Sequence, residues 1–494
     1  QRTANRGSIS TGYDIDNSVK LEADNTEYLN RVIASGGNRK TWTISAWVKR
    51  TEISDATHGG GHTIFGVNVS GNEGTIVRFN TGTTAATLDT LQIDIGAGGT
   101  LSRSHTSQVF RDTSAWYHIV LAVDTTQGTA TDRFKLYVNG ELVTSYYSRN
   151  NPAQNFDTSN NQADNGCTQH IGAYTVSGTA YGKFCGYIAE VNHVDGAALA
   201  PTAFGEFDDD SGIWKPKKAS PTYGTNGFYL DYADAADLGD DKSGNGNDLT
   251  ENNLAAADQA TDTPTNNFAT GNPLVFFSNP TMATFNAITE GATQFKKGAN
   301  GWETMTSSIA VTSGKWYCEI QNISVPDSAM MGITPADSAL IFLGGRVSYH
   351  MGASSGDGGV AQYGQNGTLY KEGVGITYSP SPTWVGGTTV QGIALDMDNG
   401  KVYFAKDNTW MNNGDPTSGS TGTGAVDIPD YTTKPYVFGY SLYANNHYGR
   451  MNFGGYTSGS ISSAASDANG YGTFEYAPPT GYYALCTKNL AEYG

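Results

Sequence analysis

The sequence predicts an all-β protein built from two antiparallel β-sandwiches. Short runs in which apolar and polar residues alternate recur along the chain, and such alternation is typical of a strand with one buried face. The 494 residues include 62 glycines and 29 tyrosines, a composition that suits many strands joined by tight turns. No stretch sustains the i, i+3, i+4, i+7 apolar spacing of an amphipathic helix.

The first predicted sandwich covers residues 8–204. Residues 42–49 alternate between apolar and polar side chains, which predicts a strand with one buried face. Residues 117–123 are almost wholly apolar, as expected of a central strand. An Asn-Gly pair at 139–140 separates two alternating runs and predicts a hairpin, because type I′ turns need positive φ at both positions. A last strand at 186–194 closes the unit.

Residues 205–275 have a different character and are predicted to form a polar connector. Acidic and small polar residues crowd 206–210 and 231–248, and the Gly-Asn-Gly-Asn run at 244–247 favours neither helix nor strand. Alternating and apolar runs return in residues 276–494, which predicts the second sandwich.

The strand motifs resemble two known β-sandwich families. "WTISAWVKR", "AWYHIVLAVD", "FKLYVNGELV" and "GYIAEVNHVDG", in this order, resemble the laminin-G-like, concanavalin A-like sandwich. "GKWYCEI", "VQGIALDMDNGKVYFAKDNTW" and "GRMNFGG" resemble a SPRY domain, which is also a concanavalin A-like sandwich. The opening "SVKLEADNTEYLNR" is similar to the form found in structural proteins of tailed bacteriophages. The resemblance implies two jelly-roll sandwiches in a phage virion protein.

The charge balance argues against nucleic acid as a partner. The chain has 29 Lys and Arg against 47 Asp and Glu, a net charge of −18. Proteins that hold phosphate backbones need clustered cations, and no basic run is present. No segment approaches the roughly 18 consecutive apolar residues of a membrane-spanning helix, so membrane insertion is not expected either.

Catalytic motifs are missing from the sequence. Glycan hydrolases with this type of sandwich resemble one another in a strand carrying Glu-x-Asp-x-x-Glu, and retaining chemistry needs two carboxylates about 5 Å apart. The nearest match, at 206–210, lies at a domain edge and lacks the second Glu. HExxH and P-loop motifs do not occur. We therefore predict a non-enzymatic protein, with glycan hydrolysis as the weakest alternative.

Four cysteines and one histidine pair are the candidate soft metal ligands of the chain. No cysteine belongs to a CxxC pair or to a complete Cys/His zinc-ligand motif, so structural zinc is not expected; the thiols either pack as small apolar groups or form disulfides. His58 and His62 flank a Gly-rich loop that could touch a metal or remain a solvated loop. The four cysteines are Cys167, Cys185, Cys318 and Cys486.

A dense group of oxygen-bearing side chains predicts a calcium site in the acidic stretch. Ca²⁺ prefers several oxygen ligands, and laminin-G-like folds often bind one Ca²⁺ at the sandwich rim. The alternative is a solvated acidic turn. No other cofactor is expected. The predicted ligands are Asp237, Asp240, Asp241, Asn245, Asn247 and Asp248.

Ligand binding is predicted on the loops of the SPRY-like half. SPRY domains resemble each other in gripping partners with loops at one end of the sandwich. Aromatic rings with polar edges suit both sugar stacking and protein contacts. The alternative for each ring is burial in its own core. The predicted residues are Tyr349, His350, Tyr363, Tyr370, Trp384, Trp410, Tyr443, His447 and Tyr448.

Together, these features predict a virion protein on the outside of a phage particle. It would be a tail fibre, head fibre or capsid decoration that contacts other virion proteins and binds a host-surface glycan or protein. Weak sites repeated on a homo-oligomer, with a trimer favoured, would bind tightly through effective concentration. The alternative is a purely structural joint or decoration protein that docks only on other virion proteins.

Overall fold

A computed structural model of the protein describes residues 12–53, 61–68, 74–81, 84–163, 167–275, 287–298, 300–324, 329–338, 350–353, 355–380, 384, 386–387 and 389–494. The chain divides into two units, an N-terminal unit (Ser8–Thr265) and a C-terminal unit (Asn266–Gly494). The predicted all-β fold class is confirmed, since the described residues hold only short 3-10 helices and the α-helix α1 (Thr487–Tyr493) besides strands. None of the described helices is long and apolar enough to span a bilayer.

The N-terminal unit is made of short strands. These are β1 (Ser18–Leu21), β2 (Tyr28–Val32), β3 (Thr41–Arg50), β4 (His62–Asn68), β5 (Thr75–Phe79), β6 (Thr90–Ala97), β7 (Thr100–Val109), β8 (Tyr117–Asp124), β9 (Phe134–Val138), β10 (Glu141–Leu142), β11 (Tyr146–Ser148), β12 (Thr168–Ile171), β13 (Tyr174–Val176), β14 (Thr179–Tyr181), β15 (Gly186–Asp195), β16 (Gly205–Phe207), β17 (Trp214–Pro216), β18 (Phe228–Leu230), β19 (Thr250–Asn252) and β20 (Gln259–Ala260). Short 3-10 helices lie at Ala85–Thr87, Ala130–Asp132, Pro201–Ala203 and Ala256–Asp258.

Two sheets of this unit pack face to face. One has the order β10-β9-β8-β3-β15-β1-β20 with β18 also beside β15, and the other has the order β11-β7-β6-β5-β4-β12-β2-β19. Apolar side chains of both sheets form a single core, in which the ring centroids of Trp42 and Phe65 lie 6.5 Å apart. The predicted β-sandwich fold class is therefore confirmed for this unit.

In strand β3, the alternating pattern predicts which residues face the core, but it does not predict that the opposite face is also buried. Its predicted inner residues, including Trp42 and Ile44, lie in the core. The opposite face is buried as well, because Trp47 stacks on His118 with ring centroids 4.7 Å apart. His118 Nδ1 in turn accepts a hydrogen bond from Nε1 of Trp214 at 3.0 Å. A residue of the predicted connector thus covers the outer face of the first sheet.

Residues 205–265 belong to the N-terminal unit, which differs from the predicted connector. Strand β18 pairs with β15, β19 with β2 and β20 with β1, all antiparallel. Apolar residues are sparse in this segment, but Trp214 and Phe228 are buried. Strand pairing and a few buried apolar residues therefore hold this segment on the N-terminal unit. The boundary between the two units lies after Thr265 and not at 275.

The hairpin predicted at Asn139-Gly140 is present between β9 and β10. The two residues have φ of 49° and 81°, the left-handed region that the predicted turn requires. A Cβ on Gly140 would also overlap the ring of Trp214. Glycine is thus needed both for the turn and for the packing of the covering segment.

The C-terminal unit has the same construction. Its strands are β21 (Ala287–Thr289), β22 (Gln294–Lys296), β23 (Glu303–Thr306), β24 (Lys315–Asn322), β25 (Ala329–Pro335), β26 (Val360–Tyr363), β27 (Leu369–Lys371), β28 (Val374–Ile376), β29 (Gln391–Asp396), β30 (Lys401–Lys406), β31 (Thr409–Trp410), β32 (Val426–Asp427), β33 (Tyr436–Leu442), β34 (Tyr448–Asn452) and β35 (Tyr483–Ala484). Short 3-10 helices lie at Pro273–Val275, Met411–Asn413 and Pro416–Thr421.

Two sheets again enclose one core. The nine-stranded sheet has the order β21-β22-β34-β24-β29-β30-β31, with β32 beside β30 and β35 parallel to β24. The six-stranded sheet has the order β23-β33-β25-β26-β27-β28. Trp316 and Ile320 of β24 share the core with Met331 of β25, so the β-sandwich fold class is confirmed for this unit as well. All four cysteines of the chain are buried free thiols, which agrees with their interpretation as small apolar groups.

Candidate functional site

Five residues with aromatic rings lie together on the outer face of the six-stranded sheet, and we call this surface the aromatic patch. Trp302 is central, with ring centroids 4.6 Å from His350, 6.4 Å from Tyr363 and 5.5 Å from Tyr443. Tyr370 completes the patch, 6.0 Å from His350 and 6.4 Å from Tyr363. Most of these contacts are edge-to-face or tilted, the arrangement that aromatic pairs prefer.

Strand register places the tyrosines on this face. Along β25, Met331 points into the core while Met330 points outward. Tyr363 of β26 lies opposite Met330, and Tyr370 of β27 lies opposite Ala361. Because side chains on neighbouring strands in register share a face, both rings stand on the outer surface of the sheet.

A small buried cluster lies beneath the rings. Met351 and Ala361 of this cluster are fully buried, and rings of the patch pack against the cluster. A Cβ on Gly439 of β33 would collide with the sulfur of Met351, so glycine lets residues 350–353 lie against the sheet. His350 is further held by its Nδ1, which donates to the Met351 carbonyl at 3.1 Å. The buried cluster therefore positions His350 beside Trp302.

The patch offers polar edges without formal charge. Burial lowers the pKa of His350, which favours the neutral ring. Tyr443 is 40% exposed. Within the part of the chain that the structure describes, no hydrogen bond engages the hydroxyls of Tyr370 or Tyr443. These hydroxyls can therefore bond to a ligand that stacks on the rings.

The structure brings four of the nine predicted ligand-binding residues into the patch and separates the others. Trp384 is buried in the core at 2% exposure, which corrects the prediction for this residue. Trp410 packs against Tyr403, at 6.5 Å between centroids. His447 and Tyr448 precede and begin β34 of the other sheet. Tyr349 lies outside the described residues.

Trp302 was missed by the sequence analysis. It lies directly before β23, between Gly301 and Glu303, where no alternating run marks it. The only available signal was a large aromatic residue that follows a glycine at the start of a strand.

A second feature of the C-terminal unit is a polar cavity of about 330 Å³ on the outer face of the nine-stranded sheet. Glu319, Gln321 and Arg450 line it from β24 and β34, and Glu475 lines it from the C-terminal segment. Nε of Arg450 donates to Gln321 at 2.8 Å. Burial lowers the pKa of Arg450.

Two carboxylates therefore share this cavity, and their hydrogen bonds decide what they can do. Glu319 accepts the backbone N–H groups of Glu475 and Tyr476 at 2.9 and 2.8 Å, besides the Asn452 amide at 3.2 Å and the Tyr317 hydroxyl at 3.2 Å. Burial raises the pKa of Glu319 to about 7, against the effect of these donors. The Glu475 carboxylate accepts the backbone N–H of Ser462 at 2.7 Å. Glu319 thus holds the C-terminal segment on the sheet, and Glu475 binds the loop at Ser462, so both carboxylates are used for anchoring.

Residues 206–210, the nearest match to the glycan hydrolase motif, do not lie in this cavity but in the N-terminal unit. Glu206 lies on the exposed hairpin β16–β17, 3.6 Å from the amine of Lys215. Asp208 forms an ion pair with the same lysine at 3.1 Å and accepts hydrogen bonds from Ser211. These carboxylates stabilise a turn.

The predicted calcium ligands form a hydrogen-bonded turn. The Asp241 carboxylate accepts backbone N–H groups of Tyr229, Ser243 and Asn247 at 2.8 to 2.9 Å, and Asp248 accepts that of Asp241 at 3.0 Å. Among the described residues, no three of these carboxylates converge as metal ligands. The geometry fits the alternative of an acidic turn, and calcium stays a prediction. The predicted set was Asp237, Asp240, Asp241, Asn245, Asn247 and Asp248.

Comparison with protein families finds a match in the N-terminal unit. Residues 21–201 match the family model of the concanavalin A-like lectin/glucanases superfamily, in its laminin G form. Over these residues the N-terminal unit is similar to the concanavalin A-like lectin/glucanases superfamily, as the strand motifs implied. No curated protein matches the chain.

Several solved structures are distantly similar. The SPRY domain of human HERC1 is 13% identical, with a TM-score of 0.26, over 35% of this chain and 95% of that chain. A candidate carbohydrate binding protein from Bacteroides ovatus is 19% identical, with a TM-score of 0.33, over 49% and 59%. The SAP-like pentraxin of Limulus polyphemus is 17% identical, with a TM-score of 0.27, over 38% and 80%. At these TM-scores, none of the three bears on function.

Proposed function

We propose that the protein is a non-enzymatic binding protein that recognises cell-surface glycans through the aromatic patch. The observation that carries the proposal is the convergence of Trp302, His350, Tyr363, Tyr370 and Tyr443 on one outer face. The apolar face of a sugar ring stacks on such side chains, while its hydroxyls bond to tyrosine hydroxyls and imidazole nitrogens. The similarity of residues 21–201 to the concanavalin A-like lectin/glucanases superfamily is consistent with this role.

Binding is expected to weaken about tenfold or more in Trp302→Ala, because the central ring contacts three of the other four rings and a buried anchor dominates such interfaces. A glycan array with the purified full-length chain would identify the ligand, and isothermal titration would give the affinity. Tyr443→Ala should weaken binding less, and its exposed side chain makes misfolding an improbable cause. Tyr147→Ala is the matched control, since Tyr147 is 59% exposed and lies in the N-terminal unit.

Affinity unchanged in both patch variants would contradict the proposal. The second candidate, glycan hydrolysis, is favoured by the two carboxylates in the polar cavity. It predicts release of reducing sugar from a polysaccharide by the wild type and its loss in Glu319→Gln. We expect no such turnover, since both carboxylates are engaged by the chain's own donors.

We further propose that the chain lies on the exterior of a phage particle, as a tail fibre, head fibre or capsid decoration. Support comes from the resemblance of residues 18–31 to phage structural proteins. A homo-oligomer, with a trimer favoured, would multiply weak sugar sites into firm attachment. Imaging of particles labelled on this chain separates the alternatives. A tail-tip position favours recognition of a host, whereas a capsid-lattice position favours a decoration protein that docks only on other virion proteins.

A further inference from the structure

Three potential metal ligands, with a further glutamate beside them, meet at one end of the N-terminal sandwich, although they come from separate parts of the sequence. Strands β1, β15 and β3 are neighbours, and Leu21, Gly186 and Arg50 lie in one row across them. The next residues along these strands therefore lie side by side at the sheet end. Among them are Glu22 after β1 and Cys185 before β15.

The opposite sheet adds a histidine to this end. His62 is the first residue of β4, and it is buried at 0% exposure, unlike the solvated loop histidine that the sequence allowed. Glu52 follows β3 by two residues. The ligand atoms of Glu52, His62 and Cys185 all lie within 4.8 Å of one another. His58, at the far side of the Gly-rich loop, lies outside the described residues.

The ligand types of this group suit one metal ion. A further carboxylate lies beside the group, since the Cys185 sulfur lies 3.7 Å from Oε1 of Glu22. In a tetrahedral zinc site, with Zn–S about 2.3 Å and Zn–N or Zn–O about 2.0 Å, a sulfur and its neighbouring ligand atoms are roughly 3.5 Å apart. Sulfur, imidazole and carboxylate are the ligands that Zn²⁺ takes in proteins.

The local charges also favour a cation. Cys185 is fully buried and Glu22 is 2% exposed, so two carboxylates lie close to a thiol in a region shielded from water. Burial and the nearby Glu52 and Glu22 raise the pKa of the Cys185 thiol well above its ordinary value. A bound divalent ion would reverse this effect and deprotonate the thiol.

The guanidinium of Arg50 is a cation close to the proposed ligands. Nη2 of Arg50 lies 3.4 Å from Nδ1 of His62, but the same nitrogen is paired with Asp89 at 3.1 Å. Arg111 is paired with Asp89 too, at 2.8 Å. Two arginines, one aspartate and the two glutamates sum to one negative charge. Zn²⁺ together with a Cys185 thiolate would bring this total to zero.

We propose that Glu52, His62 and Cys185 bind a single Zn²⁺ ion that ties the two sheets of the N-terminal unit together. The ion would be structural, since its ligands come from strand ends of both sheets, and Glu22 or a water molecule would complete the coordination. Sequence spacing predicted no such site, because the ligands come from the ends of separate strands.

Titration of the full-length, reduced and metal-free chain with Co²⁺ tests the site. Co²⁺ is a spectroscopic substitute for Zn²⁺, and we expect a thiolate-to-cobalt charge-transfer band that saturates at one equivalent and disappears when Zn²⁺ is added. Zn²⁺ should also raise the melting temperature of the N-terminal unit. Native mass spectrometry of the wild type should show one bound zinc.

Cys185→Ser and His62→Gln should weaken Zn²⁺ binding by more than the roughly 10–100-fold that loss of an outer-shell partner costs. Cys167→Ser is the matched control, because Cys167 is a buried free thiol of the same unit whose sulfur lies near Ser159. Circular dichroism reports whether each variant folds. The proposal is overturned if the wild type takes up no zinc, or if the cobalt–thiolate band survives in Cys185→Ser. Equal loss of binding in Cys167→Ser would overturn it as well.

Discussion

Replacing Asp89 with alanine is expected to lower the free energy of unfolding of the N-terminal unit by about 3–5 kcal/mol. Arg50 is fully buried, and its guanidinium lies 3.1 Å from Asp89. The other contacts of this guanidinium include the Phe110 carbonyl at 2.6 Å and the Phe79 ring at 4.7 Å, neither of which carries charge. Without Asp89 the guanidinium would be a buried charge that lacks the carboxylate paired with it among the described residues, which is costly in a medium of low dielectric constant.

Urea denaturation of the full-length chain, followed by tryptophan fluorescence in the presence of a chelator, would measure this change without a contribution from bound metal. Asp132→Ala is the control, since the Asp132–Lys135 pair is 3.5 Å long and about half exposed on both sides. It should cost less than about 0.5 kcal/mol. In Arg50→Met/Asp89→Asn, stability should partly return, because the buried charge is gone and asparagine tolerates the φ of 60° at position 89. Equal costs for Asp89→Ala and Asp132→Ala would show that Arg50 is not held as described.

The N-terminal unit is expected to lose about 3 kcal/mol of stability through one carboxyl as the pH rises from about 4.5 to 7. Glu190 lies at a bulge of β15, with φ of 51° and 6% exposure. Its Oε1 accepts the hydroxyls of Tyr13 at 2.9 Å and Tyr229 at 2.7 Å. Burial raises the pKa of Glu190 from 4.5 to about 7, and these hydrogen bonds only partly offset the effect.

The direction of this pH dependence follows from the pH at which Glu190 loses its proton in the unfolded and in the folded chain. In the unfolded chain Glu190 ionises near pH 4.5, whereas in the folded chain it stays protonated until about pH 7. Its stabilising effect is therefore complete below pH 4.5 and is lost as the pH rises through 7. Buried His118 and His193 act in the opposite direction, because burial lowers the pKa of each to about 3 and the folded state is destabilised below pH 6.5.

The difference between wild type and Glu190→Gln isolates this carboxyl from the histidines. Unfolding free energies measured from pH 4 to pH 8 should fall more steeply with rising pH in the wild type than in the variant. Glutamine keeps an oxygen that accepts from both tyrosines, so the variant should fold. Parallel pH profiles for the two proteins would contradict the raised pKa of Glu190.

Local sequence predicted the strands because their signals are local. The alternation in residues 42–49 and the Asn139-Gly140 turn depend on backbone geometry within a few residues, and both were found where expected. The covering role of residues 205–265 was not predictable in this way. Trp214 and Phe228 lie in a mostly polar stretch, and the tertiary structure gives them different roles. Trp214 packs on the outer face of the first sheet against His118, whereas Phe228 joins the core between the sheets.

The candidate sites also depend partly on local sequence and partly on tertiary structure. The sequence supplied the residue types of the aromatic patch, including Tyr363 and Tyr370, but it could not distinguish a half-buried Trp302 on the outer face from a Trp384 buried in the core. That distinction depends on which face of which strand each ring occupies. His62 and Cys185 meet only because strands distant in sequence end at one edge of the sandwich. The chain by itself determined the all-β fold and the location of its turns, since periodicity and turn chemistry act over short distances. Strand order and register decided which side chains meet, because they are set by burial across the whole unit.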